Sequence, residues 1–161
     1  MNTAITVRHN MEMAHRLYLT PGKCENIHGH SWWVELILHG TVNDQGLLEG
    51  LNFTDVKRSF RQHLDSHFDH RLLLNAEDPF AHTVHYDLDT GPAHIDPRTG
   101  LYGILPGLQI MEGDPTTENV AIAISAWAGN EFHLDNKVVV HETSVNSAVA
   151  GYTSPSTEHG W

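Results

Sequence analysis

The run Cys24-Glu25-Asn26-Ile27-His28-Gly29-His30 brings the lone cysteine, a glutamate and two histidines into seven residues. In extended backbone, side chains alternate faces, so His28 and His30 point the same way and Gly29 adds no bulk between them. Two imidazoles on one face can grip a metal ion if a third ligand comes from elsewhere. His15, upstream in Met13-Ala14-His15-Arg16, can supply it. Three neutral histidines with a fourth position open is the pattern of a catalytic zinc site, whereas structural sites are usually closed by four protein ligands. Zinc is the expected metal, because imidazole suits it and no redox role is required; iron and nickel also take imidazole. Cys24 is either a fourth ligand or a reactive thiolate beside the metal.

Fourteen histidines in one chain weaken any argument from histidine alone, so spacing carries the case. Cys24 has a plain reading, a buried structural cysteine. Beside a metal cation the thiolate form is favoured, and it can then act as general base or nucleophile. In Asp69-His70 a carboxylate can orient the imidazole, although sequence neighbours often point apart. Glu142 interrupts the apolar run Lys137–Thr143, either on a solvent face or held there to bind something. Glu118, in the first turn of an expected helix, is most simply a partner of the helix dipole. His82, His85 and His94 could hold a second metal, against the plainer reading of a solvated loop.

The elements that must position these groups can be read from periodicity. Residues 3–9 alternate and carry β-branched side chains, predicting a strand that runs toward His15. Thr20-Pro21-Gly22-Lys23 predicts a turn. Ser31–His39 is a strong aromatic and aliphatic strand ending at Gly40, and with the first strand it predicts a long antiparallel hairpin. Asn43-Asp44-Gln45-Gly46 is a turn. Asn52 is the expected cap of a helix with Phe53, Val56, Phe60, Leu64 and Phe68 at helical spacing. Residues 75–108 have no clean period and read as a long loop or insertion, with Pro79, Pro92, Pro97 and Pro106. Asp114 and Pro115 are expected as cap and first residue of a second helix, with Val120, Ile124 and Trp127 on one face and Gly129-Asn130 as its stop. Lys137–Thr143 and Ser147–Tyr152 complete four strands. The order strand, strand, helix, loop, helix, strand, strand predicts an α+β fold, a four-stranded antiparallel sheet with two helices on one face. Such a sheet has two open edges, which association can cover.

At 161 residues the chain fits one domain, 1–161, with an insertion at about 75–108. The formal charge of −11 argues against nonspecific nucleic-acid binding and means that an anionic substrate needs a local basic pocket. No apolar run approaches the roughly 20 residues of a membrane span, and the start lacks the design of a signal peptide. A single cysteine forms no internal disulfide, which fits a reducing cytoplasm.

Four ordered motifs carry a resemblance: Cys24-x-x-x-His28-Gly29-His30, Phe68-Asp69-His70-Arg71, Pro115-Thr116-Thr117-Glu118-Asn119 and Glu142-Thr143. In this order they resemble the 6-pyruvoyl-tetrahydropterin synthase family across nearly the whole chain except residues 75–108. The three-residue gap between Cys24 and His28 is similar to the bacterial 6-carboxy-tetrahydropterin synthase branch of queuosine (7-deazaguanine) biosynthesis. The resemblance implies a tunnelling fold whose trimers close into a barrel and stack as hexamers. It implies zinc on His15, His28 and His30, and 7,8-dihydroneopterin triphosphate as substrate. Cys24 would accept a proton, and Asp69 and His70 would form the relay, acting on a neighbouring subunit's zinc. Glu142 would anchor the pterin edge and join the catalytic relay, with Thr117 and Glu118 in the substrate-binding set.

Three positions depart from the family pattern. Asn52-Phe53 stands where Asp-Phe is usual, a change of cap. The 75–108 insertion would cover the site or extend an oligomer surface. Glu25 follows Cys24, and relatives that cleave dihydroneopterin use a glutamate in this neighbourhood. Rival readings are a pyruvoyl-forming synthase, a non-catalytic zinc or pterin-binding protein on the same fold, and a zinc hydrolase.

Overall fold

The computed structural model describes residues 2–84 and 107–152. Two fourteen-residue strands, β1 (Asn2–His15) and β2 (His28–Thr41), form the expected antiparallel hairpin, in a register that places His15 opposite His28 and Met13 opposite His30. Strand β5 (Asn136–His141) pairs with β2, and β6 (Ser147–Tyr152) pairs with β5, both antiparallel. Strand β1 extends past the predicted 3–9 because Met11 and Met13 continue its buried row as far as His15.

The sheet has six strands, not four. Strands β3 (Leu72–Asn75) and β4 (Leu108–Met111) add in parallel at the β1 edge, giving the order β4-β3-β1-β2-β5-β6. Leu72-Leu73-Leu74 follows Asp69-His70-Arg71 directly, and a three-leucine run has no period of its own. Its parallel pairing with the far end of β1 and with β4 fixes it as a strand. There are three helices among the described residues, the third being α2 (Pro79–Val84), a single short piece inside the segment read as loop. Residues 85–106, with His85 and His94, lie outside the described residues, so the second-metal expectation does too.

Helix α1 (Phe53–His67) starts as expected, with the Asn52 side chain accepting from the Asp55 amide at 2.9 Å. Helix α3 (Thr117–Phe132) starts later than the sequence predicted. Thr116 is its cap, accepting from the Asn119 amide at 3.2 Å, and the helix runs past Gly129-Asn130 to a left-handed His133. Asp114 is drawn away from capping by the amides of Tyr18 and Leu19, which its carboxylate accepts at 3.1 and 2.8 Å.

One core joins both long helices to one face of the sheet. Val7, Met11 and Met13 of β1, Trp32, Val34, Leu36 and Leu38 of β2, and Val138 and Val140 of β5 bury against Val56, Phe60 and Leu64 of α1 and Val120, Ala121, Ile124 and Ala128 of α3. The strand period of two puts every second side chain on this face. His15 continues the β1 row, and His28 and His30 continue the β2 row, so the histidines lie where the helix-covered core meets the end of the hairpin. No helix among the described residues is long and apolar enough to cross a membrane.

Candidate active site and metal centre

The two strand rows deliver three imidazoles to one point. The ring centroids of His15 and His28 are 4.5 Å apart, those of His15 and His30 5.4 Å, and those of His28 and His30 5.1 Å. One ligand nitrogen from each lies within 4.8 Å of the others. Trp32, fully buried, backs the cluster edge-on against His15 at 5.2 Å and His30 at 5.9 Å.

Outer contacts fix which nitrogens face inward. Nδ1 of His15 donates to the Pro115 carbonyl at 2.8 Å, and Nδ1 of His28 donates to the Asn26 carbonyl at 2.7 Å. Each ring therefore keeps its lone pair on Nε2, the arrangement in which metal-bound histidines are usually held. Nε2 of His15 is buried and has no hydrogen-bond partner among the described residues. Burial pushes the His15 imidazole below its ordinary range, and neighbouring His28 and His30 push the same way, against the Pro115 carbonyl and the Glu142 charge. A neutral, buried, unpartnered acceptor nitrogen beside two further imidazoles fits a soft-to-borderline divalent cation such as zinc.

Glu142 is not in mid-strand as the sequence predicted. It lies just past β5, where its amide donates to the Asn146 carbonyl at 3.1 Å in the turn to β6. Its Oε1 sits 3.6 Å from His15 Nε2 and 3.9 Å from His30 Nε2, beyond hydrogen-bond length, as a negative charge beside the cluster.

Cys24 is exposed in a short 3-10 turn (Lys23–Glu25) and is not part of the three-histidine group. That outcome separates it from the reading as a buried structural cysteine.

Asp69 and His70 point together. The buried Phe68 ends α1, and His70 adopts a left-handed φ of 56°, uncommon for a residue with a side chain. This bend turns the imidazole back, so that Nδ1 donates to Asp69 Oδ2 at 2.6 Å. The pair is docked on β1 through one residue: Asp69 Oδ1 accepts from the Glu12 amide at 2.8 Å, and the His70 amide donates to the Glu12 carbonyl at 2.7 Å. Partial burial pushes the Asp69 carboxyl up, but the Glu12 amide and the His70 hydrogen bond and charge outweigh it and hold the group below its usual range. The His70 side chain is 78% exposed, and His70 and His30 line one open cleft of about 580 Å³ with Glu12, Gly29 and Ser31.

Thr117 and Glu118 occupy the first turn of α3, Thr117 half-buried and Glu118 exposed. Pro115, two residues before Thr117, is the partner of His15, so the Pro115–Asn119 motif sits against the histidine cluster. Sequence reasoning missed Glu12, Arg16 and Asp78 and read Asp114 only as a helix cap, whereas the bonds of all four hold the loops around the site. Only Arg16 carried a local signal, its place directly after His15.

The chain matches the model of the 6-pyruvoyl tetrahydropterin synthase family over residues 4–152. It belongs to that family. A 6-carboxy-5,6,7,8-tetrahydropterin synthase of Rickettsia typhi is 27% identical over 134 residues, 83% of this chain and 78% of that protein. Among solved structures, an uncharacterized protein from Wolinella succinogenes has a TM-score of 0.73 at 17% identity, covering 93% of this chain and 98% of that one. A catalytic-residue mutant of Plasmodium vivax 6-pyruvoyltetrahydropterin synthase has a TM-score of 0.69 at 15% identity, covering 95% and 99%. The architecture is thus the tunnelling fold of this synthase family, α+β as the sequence predicted, with the two parallel strands added to the antiparallel four.

Proposed function

We propose that this member of the tetrahydropterin synthase family is a zinc-dependent lyase that converts 7,8-dihydroneopterin triphosphate to 6-carboxy-5,6,7,8-tetrahydropterin, acetaldehyde and triphosphate, the queuosine-type reaction. The observation that carries the reading is the buried Nε2 of His15, without a hydrogen-bond partner among the described residues, with one nitrogen each of His28 and His30 gathered beside it. The name of the Rickettsia typhi relative favours the carboxy branch.

His15, His28 and His30 hold the metal in this reading. Bound zinc would polarise a side-chain oxygen of the substrate and acidify the adjacent C–H. Cys24 accepts the proton as thiolate. His70 returns a proton from Nε2, with Asp69 fixing its tautomer through Nδ1. The exposed His70 ring is available to a neighbouring copy of the chain, in keeping with a trimer or hexamer whose sites lie between subunits. Glu142 accepts hydrogen bonds from the paired donors of the pterin edge, where a charged acceptor is strongest. Thr117 and Glu118 complete the substrate-binding set.

Mass analysis of products from the zinc-loaded protein given 7,8-dihydroneopterin triphosphate tests this. 6-Carboxy-5,6,7,8-tetrahydropterin with acetaldehyde is expected. A 6-pyruvoyl product would move the chain to the other branch, and zinc binding without turnover would make it a binding protein.

A further inference from the structure

We propose that Arg16 is a positioning residue, whose guanidinium, anchored on the buried Asp78 carboxylate, holds the Cys24 turn against the end of β1. The inference rests on the reading of Cys24 as proton acceptor. The segment between β1 and β2 is pinned in two halves. Asp114 fixes the first half through the amides of Tyr18 and Leu19. The second half carries Cys24, and every residue from Pro21 to Ile27 is exposed, so packing does not hold it. It returns to the end of β1 through two bonds. The Leu17 amide donates to the Cys24 carbonyl at 2.9 Å, and Arg16 Nε donates to the Glu25 carbonyl at 2.8 Å.

Arg16 is itself fixed from the far side. Its Nη1 donates to Asp78 Oδ1 at 3.1 Å. Asp78 is 0% exposed, its Oδ1 also accepts from the Phe80 amide at 2.8 Å, and its Oδ2 has no partner among the described residues. A buried carboxylate so placed needs its cation. With Nη1 held, the planar guanidinium leaves Nε one direction to point, toward the Glu25 carbonyl next to Cys24. A lysine ammonium is a single donor centre and cannot reproduce that two-point bridge.

The test is Arg16→Lys in the zinc-loaded full chain, which keeps a cation for Asp78 and removes the bridge. Metal content should match the unsubstituted protein. KM should stay within about twofold while kcat falls about tenfold or more, the signature of a misplaced catalytic group. Amide hydrogen exchange over residues 22–26 should quicken severalfold while exchange at Tyr18 and Leu19 and in β1 and β2 is unchanged. Unchanged kcat and exchange would overturn the proposal, as would loss of zinc, which would mean that Arg16 acts through His15. If Arg16→Lys fails to fold, Asp78→Asn is read by the same criteria, since it keeps an acceptor for Phe80 and removes the charge that holds the guanidinium. If the unsubstituted protein turns over no pterin triphosphate, the reading of Cys24 fails, and exchange over 22–26 alone decides whether Arg16 tethers the turn.

Discussion

Nδ1 of His15 lies 2.8 Å from the carbonyl oxygen of Pro115, across 100 residues of sequence. This bond assigns the proton to Nδ1 and aims the bare Nε2 at His28 and His30, as the proposed zinc site requires of a strand histidine. His15→Ala should therefore abolish stoichiometric zinc, measured by atomic emission. The unsubstituted protein should gain about 3–4 kcal/mol of stability from zinc at 100 to 1,000 times its dissociation constant, and this gain should vanish in the variant, read by thermal melts with and without metal.

Cys24→Ala should behave in the opposite way. The thiol stands outside the histidine group, so zinc stoichiometry should hold while turnover is lost. Loss of zinc in this variant would make Cys24 a fourth ligand and the site structural.

Asp69→Asn keeps an acceptor for the Glu12 amide but removes the charge beside His70. The fold should survive, as judged by circular dichroism, while kcat falls about 10²-fold or more, in the range of lost general acid–base catalysis. His70→Ala should lose as much, and the double variant little beyond that, because the two residues act as one unit.

Glu142→Gln should raise KM about ten- to a hundredfold, the equivalent of about 1.5–3 kcal/mol for a hydrogen bond to a charged acceptor. Zinc should remain, and activity toward simple phosphate or ester substrates surviving Glu142→Ala would point to a hydrolase instead.

His63 carries a pH dependence separate from the site. Its ring stacks on Trp127 with centroids 4.0 Å apart, and burial, with His67 next in weight, pushes its imidazole down to about 4 from the ordinary 6.5. The unfolded chain then binds the proton more readily, so stability is full above about pH 6.5 and declines as pH falls toward 4. After solvent screening the loss should be about 1–2 kcal/mol. Urea titrations of the metal-free protein at pH 7.5 and pH 5 should show a smaller decline in His63→Phe, which keeps the stack without the titrating nitrogen.

The sequence by itself determined the elements whose signals are local. The aromatic and aliphatic run 31–39 marked β2, and the one-residue spacing of His28 and His30 put both on one face of extended backbone. Asn52 and the spacing of Val56, Phe60 and Leu64 fixed α1, and the Cys24-x-x-x-His28-x-His30 run, with the other three motifs, identified the family. Tertiary structure alone decided what depended on partners far along the chain. Leu72–Leu74 is a strand because β1 and β4 supply its hydrogen bonds. Asp114 does not cap α3, because the Tyr18 and Leu19 amides compete for its carboxylate. Asp69 and His70 meet only because the left-handed backbone at His70 is held by Glu12, and His15 acquires its orientation only from Pro115. Periodicity reports which face a side chain takes. Hydrogen bonds between residues distant in sequence decide where on that face it points, and no local pattern encodes them.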